Sequence, residues 1–309
     1  MRLVSNNNFY IKLSNSISGK MFLDEPMLNH TSFNAGGPVD CLIIPLNYDD
    51  IYNTAKFCKD KNIDLYTIGA GTNILLPDEG IRGVILKIDS TMDELVFTDT
   101  KIKAGAGLKI QKLIKEAKNN NLEGIEFLAG IPGTIGGVTC MNAGIGNQSI
   151  GMYIDSGTIF DPVNLIIDNF KKSDFMFDYR FSAIQKNIFI ILDINLSLKH
   201  GDLNEISQRI QNNLEKRIKT QPLSYPNAGC IWKNPSNAFA AKLIEDAGLK
   251  GFSIGGASIS KMHANFIINE KNALSRDIYN LINHVEEVVY NKFNIKLERE
   301  IKIIGSNWF

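Results

Sequence analysis

The sequence has 309 residues, more than one ordinary hydrophobic core supports, and therefore predicts two or three compact units. Apolar residues make up 44% and charged residues 21%, values that are typical of globular proteins and argue against disorder. The 33 basic and 33 acidic side chains balance, which excludes a general basic surface for nucleic acid. Any anionic ligand must therefore be held by local groups.

No apolar run approaches the roughly 18 residues of a membrane span, and the N-terminal stretch lacks the apolar block of a signal peptide. The four cysteines and four histidines show neither CxxC nor HExxH spacing. We therefore predict a cytoplasmic protein with no membrane partner and no metal site. Three of the cysteines are expected to pack in the core.

The N-terminal third alternates strands with a helix. The first 28 residues are polar and predict a short helix or strand followed by a loop. A turn with Gly36 and Gly37 then precedes an apolar strand at 41–44, a helix at 48–61 and a strand at 65–68. We interpret this order as a βαβ unit.

Two GxG turns follow strand-like runs, and neither completes a dinucleotide-binding fingerprint. The first, GAGTNI at 69–74, ends in Ile74 instead of a third glycine, and LLP at 75–77 indicates strand and turn instead of helix. The second, AGAG at 104–107, joins a strand at 101–104 to a helix and also lacks the third glycine. A Rossmann fold is therefore not indicated.

The stretch at 125–146, IEFLAGIPGTIGGVTCMNAGIG, is the most unusual of the chain, because it is rich in glycine and carries no charge beyond Glu126. Its segment 128–138 holds four glycines and a proline. Successive N–H groups of such a turn can form a concavity that binds phosphate. A run of tight turns between short strands explains the glycines equally well. The pattern alone leaves both interpretations open.

The remainder of the chain predicts an α+β tail. Strands are expected at 156–160, 165–169 and 188–198, a helix at 203–219, a loop at 221–235, a helix at 238–247, a strand at 263–268, a helix at 274–290 and a strand at 295–304. Lys216, Arg217 and Lys219 lie in the last turn of the 203–219 helix, where cations favour the helix dipole, so we expect them to cap it. The loop at 221–235 holds three prolines and is a candidate functional segment.

Taken together, the motifs resemble the UDP-N-acetylenolpyruvoylglucosamine reductase (MurB) family of flavoenzymes. The resemblance runs from HTSFNAGGP at 30–38 through IGAGTNILLPDEGIRGVIL at 68–86, AGIPGTIGGVTCMNAG at 129–144 and FDYRFS at 177–182 to PNAGCIWKNP at 226–235, HANFIIN at 263–269 and LEREIKIIG at 297–305. These motifs occur in order across nearly the whole chain.

The resemblance implies an α+β fold with a two-subdomain FAD-binding module of the vanillyl-alcohol-oxidase (PCMH) type and a C-terminal α+β substrate domain. The corresponding ranges are 1–90, 91–200 and 201–309. FAD would lie between the first two subdomains, along glycine-rich loops. Because no insertion follows Arg180, the chain resembles the shorter type, which lacks the extra loop with a substrate-clamping tyrosine.

The resemblance also implies site residues. Arg180 would bind and polarise the enolpyruvyl carboxylate, Cys230 would donate a proton in place of the usual serine, and Glu300 would be the acid beside the reacting carbon. The implied FAD contacts are Gly69, Gly71, Thr72, Asn73, Gly130, Pro132, Gly133, Thr134, Gly136 and Gly137. The implied substrate contacts are Tyr179, Gly229, Lys233, Asn234 and Asn265. Asn34 stands where the family commonly has arginine or lysine.

By this resemblance, noncovalent FAD and NADPH would reduce a UDP-linked enolpyruvyl sugar in peptidoglycan precursor synthesis, and the protein would be a monomer. Two alternatives remain. One is an FAD-linked oxidase of the same fold, and the other is a redox-silent protein that binds a nucleotide sugar. Bound flavin would distinguish the reductase and the oxidase from the redox-silent binding protein.

Overall fold

The computed structural model describes residues 7–186 and 188–305 and contains two compact units. Unit 1 comprises 1–24, 40–70 and 82–215, and unit 2 comprises 25–39, 71–81 and 216–309. The predicted boundary at 200/201 lies inside unit 1, and the segments 25–39 and 71–81 belong with the C-terminal part. The predicted ranges 1–90 and 91–200 contribute one sheet each. The division into three domains remains a prediction.

The described residues form seven α-helices and nineteen strands. The helices are α1 (Asn7–Ser14), α2 (Tyr48–Lys61), α3 (Ile110–Asn119), α4 (Ile135–Cys140), α5 (Leu203–Thr220), α6 (Ala240–Asp246) and α7 (Ser275–Phe293). The strands are β1 (Lys20–Pro26), β2 (Pro38–Ile44), β3 (Leu65–Ile68), β4 (Ile74–Leu75), β5 (Ile81–Lys87), β6 (Leu95–Thr98), β7 (Lys101–Gly105), β8 (Leu122–Glu123), β9 (Gly144–Ile145), β10 (Gln148–Ser149), β11 (Ile154–Asp161), β12 (Ile166–Lys171), β13 (Ile190–Ser197), β14 (Lys199–His200), β15 (Asn227–Cys230), β16 (Ser253–Ile254), β17 (Ala257–Ile259), β18 (Phe266–Asn269) and β19 (Lys302–Ile303).

Unit 1 is built on two sheets. The first has the order β1-β2-β5-β3, in which β3 and β5 are parallel. The strand, helix and strand predicted at 41–44, 48–61 and 65–68 are present as β2, α2 and β3, and β5 lies between the two strands. The second has the order β12-β11-β13-β7-β6 and is antiparallel throughout. One hydrophobic core joins α2, α3 and both sheets, with Cys41 and Cys58 inside it.

Unit 2 has its own core. Its four-stranded antiparallel sheet has the order β15-β18-β17-β16, and one face of α7 packs into the core through Ile278, Leu281, Ile282, Val285 and Val289. These positions recur at helical spacing, which is why the segment forms an amphipathic helix. Trp232 is 1% exposed and lies in the same core.

The structure confirms most of the predicted elements. The helix at 48–61 has the predicted bounds, and Asn47 caps it by accepting a hydrogen bond from the backbone N–H of Asp50. The predicted helix at 274–290 is α7, which extends to Phe293. The predicted helix at 238–247 is α6. Gly248 follows it with φ 81°, a left-handed conformation that favours glycine.

Two local predictions are wrong. The strand predicted at 295–304 is limited to β19, because Glu298 and Glu300 hydrogen-bond instead to the 231–233 segment. The loop predicted at 221–235 contains strand β15, which pairs with β18. In both cases a tertiary partner decides the backbone conformation, which local sequence does not reveal. The stretch at 125–146 contains the short helix α4 in addition to turns.

Candidate functional site

In unit 1, the glycine-rich stretch begins with a turn that ends in α4. Gly130 and Gly133 have φ values of 78° and 141°, which favour glycine. Thr134 is the N-cap of α4, and its hydroxyl accepts a hydrogen bond of 3.4 Å from the N–H of Gly137. The turn therefore consists mainly of backbone and leads directly into the first turn of α4.

Gly69, from the end of β3, reaches the same point. A Cβ on Gly69 would lie 2.7 Å from the Thr134 hydroxyl oxygen and 3.9 Å from the Gly137 Cα. The structure thus brings one residue of the GAGTN motif against the first turn of α4. This is the convergence expected if both motifs contact one ligand.

The second GxG turn, at 104–107, has a structural role. A Cβ on Gly105 or Gly107 would overlap the backbone carbonyl oxygens of Met92 or Thr91. Ala106 accepts a 2.8 Å hydrogen bond from the N–H of Gly136, so this turn is the wall against which α4 begins. This contact leaves little room for a side chain at position 136, because a Cβ on Gly136 would lie 3.2 Å from Ala106.

Gly71, Thr72 and Asn73 belong to unit 2. Gly71 has φ 72°, accepts a hydrogen bond of 3.0 Å from the N–H of Ser32, and leaves no room for a Cβ beside the His30 carbonyl. Asn73 donates from its side chain to the backbone oxygen of Glu300 at 3.1 Å. Within unit 2, the predicted cofactor residue Asn73 therefore also positions the predicted catalytic residue Glu300.

Arg180 lies at the tip of a tight turn in unit 1. Asp178 and Phe181 exchange two backbone hydrogen bonds of 3.1 Å, which leaves Tyr179 and Arg180 as the central pair. Arg180 has φ 52°, an uncommon conformation for a residue with a Cβ, and it occupies the position at which type II turns require positive φ. Strain of this kind is concentrated at functional sites.

Several hydrogen bonds tie this turn to the end of the glycine-rich stretch. Arg180 Nη2 donates to the Gly144 carbonyl at 2.7 Å, and the guanidinium carbon lies 5.3 Å from the centre of the Tyr179 ring. Asn142 donates to the Asp178 carbonyl at 2.7 Å, while Ser182 donates to the Cys140 carbonyl at 2.7 Å. The orientation of Arg180 is therefore fixed by the residues that follow α4.

In unit 2, the segment with Cys230 runs beside the segment with Glu300. The N–H of Glu300 donates to the carbonyl of Ile231 at 2.8 Å, and Trp232 forms a bridge with Arg299. Cys230 precedes Ile231 directly and pairs with Phe266 of β18. The two residues predicted to handle the proton therefore lie on hydrogen-bonded segments.

Glu286 of α7 holds both segments. It accepts from the Trp232 indole at 2.9 Å and from Arg299 Nε and Nη2 at 2.7 Å each. These hydrogen bonds raise the pKa of Arg299, an effect that burial partly opposes. A forked, charge-assisted pair of this kind fixes geometry as well as charge.

The predicted substrate residues differ in their surroundings. Gly229 has φ 76°, and a Cβ on it would meet no heavy atom within 4 Å. Lys233 forms a 2.6 Å ion pair with Glu298, and Asn234 accepts from the N–H of Ala240. Asn265 is 3% exposed, and its amide bonds both backbone groups of Trp232. Asn265 therefore stabilises the wall of the site.

Comparisons with known proteins identify the family. A 43% identical relative from Clostridium tetani, named UDP-N-acetylenolpyruvoylglucosamine reductase, aligns over 92% of this chain and 92% of its own length. A relative of the same name from Caldanaerobacter subterraneus is 41% identical over 93% of this chain and 94% of its own. The chain belongs to the UDP-N-acetylenolpyruvoylglucosamine reductase (MurB) family. It is thus an FAD-dependent oxidoreductase of this family.

Domain and structure comparisons agree with this membership. Residues 39–159 match the FAD binding domain model, and residues 221–304 match the C-terminal domain of UDP-N-acetylenolpyruvoylglucosamine reductase. The crystal structure of MurB from Thermus caldophilus superposes with a TM-score of 0.78 at 27% identity, covering 93% of this chain and 99% of the other. A VAO-type flavoprotein from Myceliophthora thermophila, with a TM-score of 0.51 at 11% identity over 63% of this chain and 48% of the other, shares the fold. The predicted fold class is confirmed.

The residues around α4 fit the FAD of this family. A Cβ on Gly137 would have only the Thr134 hydroxyl, at 3.7 Å, within 4 Å, so the protein leaves the backbone there open. Open backbone of this kind at the start of a helix is the feature that a phosphate ligand requires.

Other predicted and unpredicted groups are placed as follows. Cys41 and Cys58 are buried, and burial raises the pKa of each thiol to about 12. Cys140 is partly buried. Across the described residues, no group of three or more His, Cys, Asp or Glu side chains is arranged to hold a metal ion. None of the helices in that part of the chain combines the length and apolar character needed to cross a membrane.

Sequence reasoning missed Glu286. Glu286 gives no motif signal, because its importance comes from partners 54 and 13 positions away. Arg217 lies in the last turn of α5, as expected, and its capping role remains a prediction. Its Nε is enclosed by protein and has no hydrogen-bond partner among the described residues. Its neighbours Lys216 and Lys219 are exposed. The sequence of a basic run does not show which of its side chains turns inward.

Proposed function

We propose that the protein reduces the enolpyruvyl group of UDP-N-acetyl-3-O-(1-carboxyvinyl)-glucosamine to UDP-N-acetylmuramate, with NADPH as the reductant. The observation that carries this proposal is the pairing of the Cys230 and Glu300 segments in unit 2, with Glu300 N–H to Ile231 oxygen at 2.8 Å. That pairing brings together two groups able to move a proton in a chain of this family. The reaction belongs to peptidoglycan precursor synthesis, in the cytoplasm, by a monomer.

FAD, held by the residues around α4, would supply the hydride chemistry that links NADPH to the terminal carbon of the vinyl ether. Negative charge then develops on the carbon that bears the carboxylate. Arg180 supplies the matching positive charge, because a guanidinium binds a carboxylate through two parallel hydrogen bonds and remains charged at any working pH. The turn that holds Arg180 prepares this charge in advance, which is how electrostatic catalysis gains its effect.

Cys230 delivers the proton that completes the reduction. An unperturbed thiol, with a pKa of about 8.5, is mostly protonated at neutral pH and can donate to a carbanion. Glu300 lies on the neighbouring segment and provides the acid beside the reacting carbon. Asn73, which bonds the Glu300 carbonyl, keeps that segment in place.

The test is NADPH oxidation by the purified protein with and without the enolpyruvyl sugar nucleotide. We expect yellow protein, flavin that is fully released by acid precipitation, and NADPH oxidation that requires the substrate. Colourless protein that still binds the nucleotide sugar would support the redox-silent alternative. Substrate-independent reduction of oxygen would support an oxidase. Size-exclusion chromatography tests whether the protein is a monomer.

Cys230 itself is tested by two variants. Cys230→Ala should slow carbanion protonation by roughly a hundredfold to ten-thousandfold, the usual range for a general acid. Cys230→Ser should remain active and lose the alkaline decline expected of a thiol donor. Reduction of the flavin by NADPH should be unchanged in both. If the second half-reaction of Cys230→Ala matches the wild type, Cys230 is not the donor.

A further inference from the structure

Two buried asparagines mark the two ends of β18 in unit 2. Asn265 directly precedes the strand and Asn269 is its last residue, and their exposed fractions are 3% and 6%. The amide of Asn265 bonds both backbone groups of Trp232, which follows Cys230 by two positions. The amide of Asn269 serves a different part of the same unit.

The side chain of Asn269 joins two segments that are far apart in the chain. Its Nδ2 donates to the carbonyl of Phe33 at 2.8 Å, and its Oδ1 accepts from the N–H of Ala273 at 2.7 Å. A carbonyl requires a donor and an N–H requires an acceptor, so these partners fix the orientation of the amide. Both bonds are buried, and loss of the amide would therefore be costly.

Phe33 belongs to the loop at 30–37, which has hydrogen bonds of its own. The Thr31 hydroxyl donates to the Ala35 carbonyl at 2.8 Å, across the residues on either side of Phe33. Phe33 is completely buried and lies in the core of unit 2. The amide of Asn269 thus attaches the middle of the 30–37 loop to the end of β18.

The 30–37 loop in turn supports Gly71 of the GAGTN motif. The N–H of Ser32 donates to the Gly71 carbonyl at 3.0 Å. A Cβ on Gly71 would overlap the carbonyl of His30, so the loop and the motif are in close backbone contact. The position of Gly71 therefore depends on the loop, and the loop is attached through Asn269.

We propose that Asn269 is a positioning residue for the cofactor, because its amide holds the 30–37 loop in the form that fixes Gly71. This inference rests on the proposed function, since it takes the GAGTN motif as a contact of FAD. Asn269 acts through the loop and is assigned no contact with FAD or substrate. The proposal gives the two ends of β18 different tasks, one for the cofactor motif and one for the Cys230 segment.

Asn265 is the matched control. It is similarly buried, lies at the other end of the same strand, and also uses its amide for one bond to a carbonyl and one to an N–H. Its partner Trp232 lies outside the 30–37 loop. Asn269→Ala and Asn265→Ala therefore remove the same chemical group from comparable surroundings and release different segments.

The experiment measures FAD affinity and stability in both alanine variants. Affinity is obtained from the holoprotein, by the fluorescence of the FAD that it releases on dilution, and stability by urea unfolding. We expect Asn269→Ala to bind FAD about tenfold more weakly, as for the loss of one hydrogen bond that fixes a binding loop. Asn265→Ala should retain wild-type affinity for FAD. Both variants should lose similar stability, because each removes two buried hydrogen bonds.

Hydrogen exchange of the holoproteins separates positioning from a general loss of structure. In Asn269→Ala, exchange should become faster at the N–H of Ser32, which reports the bond to Gly71, and stay unchanged at Trp232. Asn265→Ala should show the opposite pattern, because the N–H of Trp232 loses its acceptor. If either alanine variant does not fold, the serine pair Asn269→Ser and Asn265→Ser leaves a smaller cavity and gives the same comparison.

Two results would overturn the proposal. Wild-type FAD affinity in the folded Asn269 variant would assign this residue to the fold alone. An equal loss of FAD affinity in the Asn269 and Asn265 variants would mean that unit 2 is destabilised in general. Failure of the proposed function gives a different result, since the wild-type protein itself would then be colourless or would not oxidise NADPH with the enolpyruvyl sugar nucleotide.

Discussion

The glycine-rich turn of unit 1 and the Cys230 segment of unit 2 are built on opposite principles. Around α4, side chains are absent where a ligand would approach, and the backbone itself forms the surface, as at Gly137. Around Cys230, the half-buried side chain of Glu286 and the buried side chain of Asn265 fix two chain segments by hydrogen bonds. The first region depends on glycines, which have no side chain, and the second depends on polar contacts between residues far apart in the chain.

This difference predicts how each region fails. Adding a side-chain atom at the open position Gly137 should harm ligand binding, with little change in the stability of the protein without ligand. Removing atoms should harm the Cys230 region through the stability of unit 2 and the position of its segments. Arg180 combines both features, because a strained backbone turn presents a charged side chain.

Among the variants that test this comparison, the largest expected effect is that of Arg180→Lys, which keeps the charge and removes the planar fork. Loss of one preorganised charge-stabilising donor costs about a hundredfold to a thousandfold in rate. Stopped-flow measurements should show this loss in substrate reduction while reduction of the flavin by NADPH is retained. Arg82→Lys, at an exposed arginine paired with Asp40, is the control. Equal slowing of both half-reactions would make Arg180 a structural residue.

Gly137→Ala tests whether open backbone at α4 serves the cofactor. The variant adds a Cβ that the protein accommodates, and alanine favours helix by about 1 kcal/mol over glycine, so the apoprotein should not be destabilised. FAD affinity should fall about tenfold to a hundredfold by overpacking, measured by flavin fluorescence. Gly133→Val is a weaker test, because φ 141° already disfavours a side chain there.

A control glycine lies outside the predicted cradle. A Cβ on Gly146 would meet no heavy atom within 4 Å, so Gly146→Ala adds the same atom at another open position. Its φ of 61° will cost some stability, while FAD affinity should be retained. Full flavin affinity in Gly137→Ala would place the phosphates of FAD elsewhere.

Glu286→Gln removes the charge that holds Arg299 and preserves the shape of the side chain. Hydrogen bonds to charged groups contribute about 1.5–3 kcal/mol, so urea unfolding should show a loss of this size. Substrate turnover should also fall because the 297–301 segment is less firmly held. Glu287→Gln, at the next and exposed position of α7, should change neither. A variant as stable as the wild type would show that the Glu286 network does not support the fold.

The smallest effect concerns His263, whose Nδ1 accepts from the N–H of Asn265 at 3.3 Å. Burial lowers the pKa of His263, so the unfolded chain takes up this proton at higher pH than the folded protein does. Stability should therefore be constant above the unfolded pKa of about 6.5 and decrease as pH falls below it. His263→Gln should reduce this slope in urea unfolding, and His284→Gln should retain it.

Much of the fold was predictable from local sequence. The apolar spacing of 48–61 and 274–290 fixes two helices, because burying one face requires that period. The glycines at 130 and 133 occupy positive φ values that other residues adopt at a cost. Their positions in the sequence therefore predict the turn. The ordered motifs also determined the family, which the comparisons confirm. Contacts close along the chain leave this kind of signal.

Tertiary structure alone decided how the Cys230 region is assembled. Nothing local to LEREIKIIG ends the predicted strand early or pairs Glu300 with Ile231, and nothing local to α7 selects Glu286 as the partner of Trp232 and Arg299. The same limit applies to Arg217, one cation in a basic run that turns inward. Hydrogen bonds between residues far apart in the chain depend on packing in three dimensions, and a single sequence does not record which distant groups will meet.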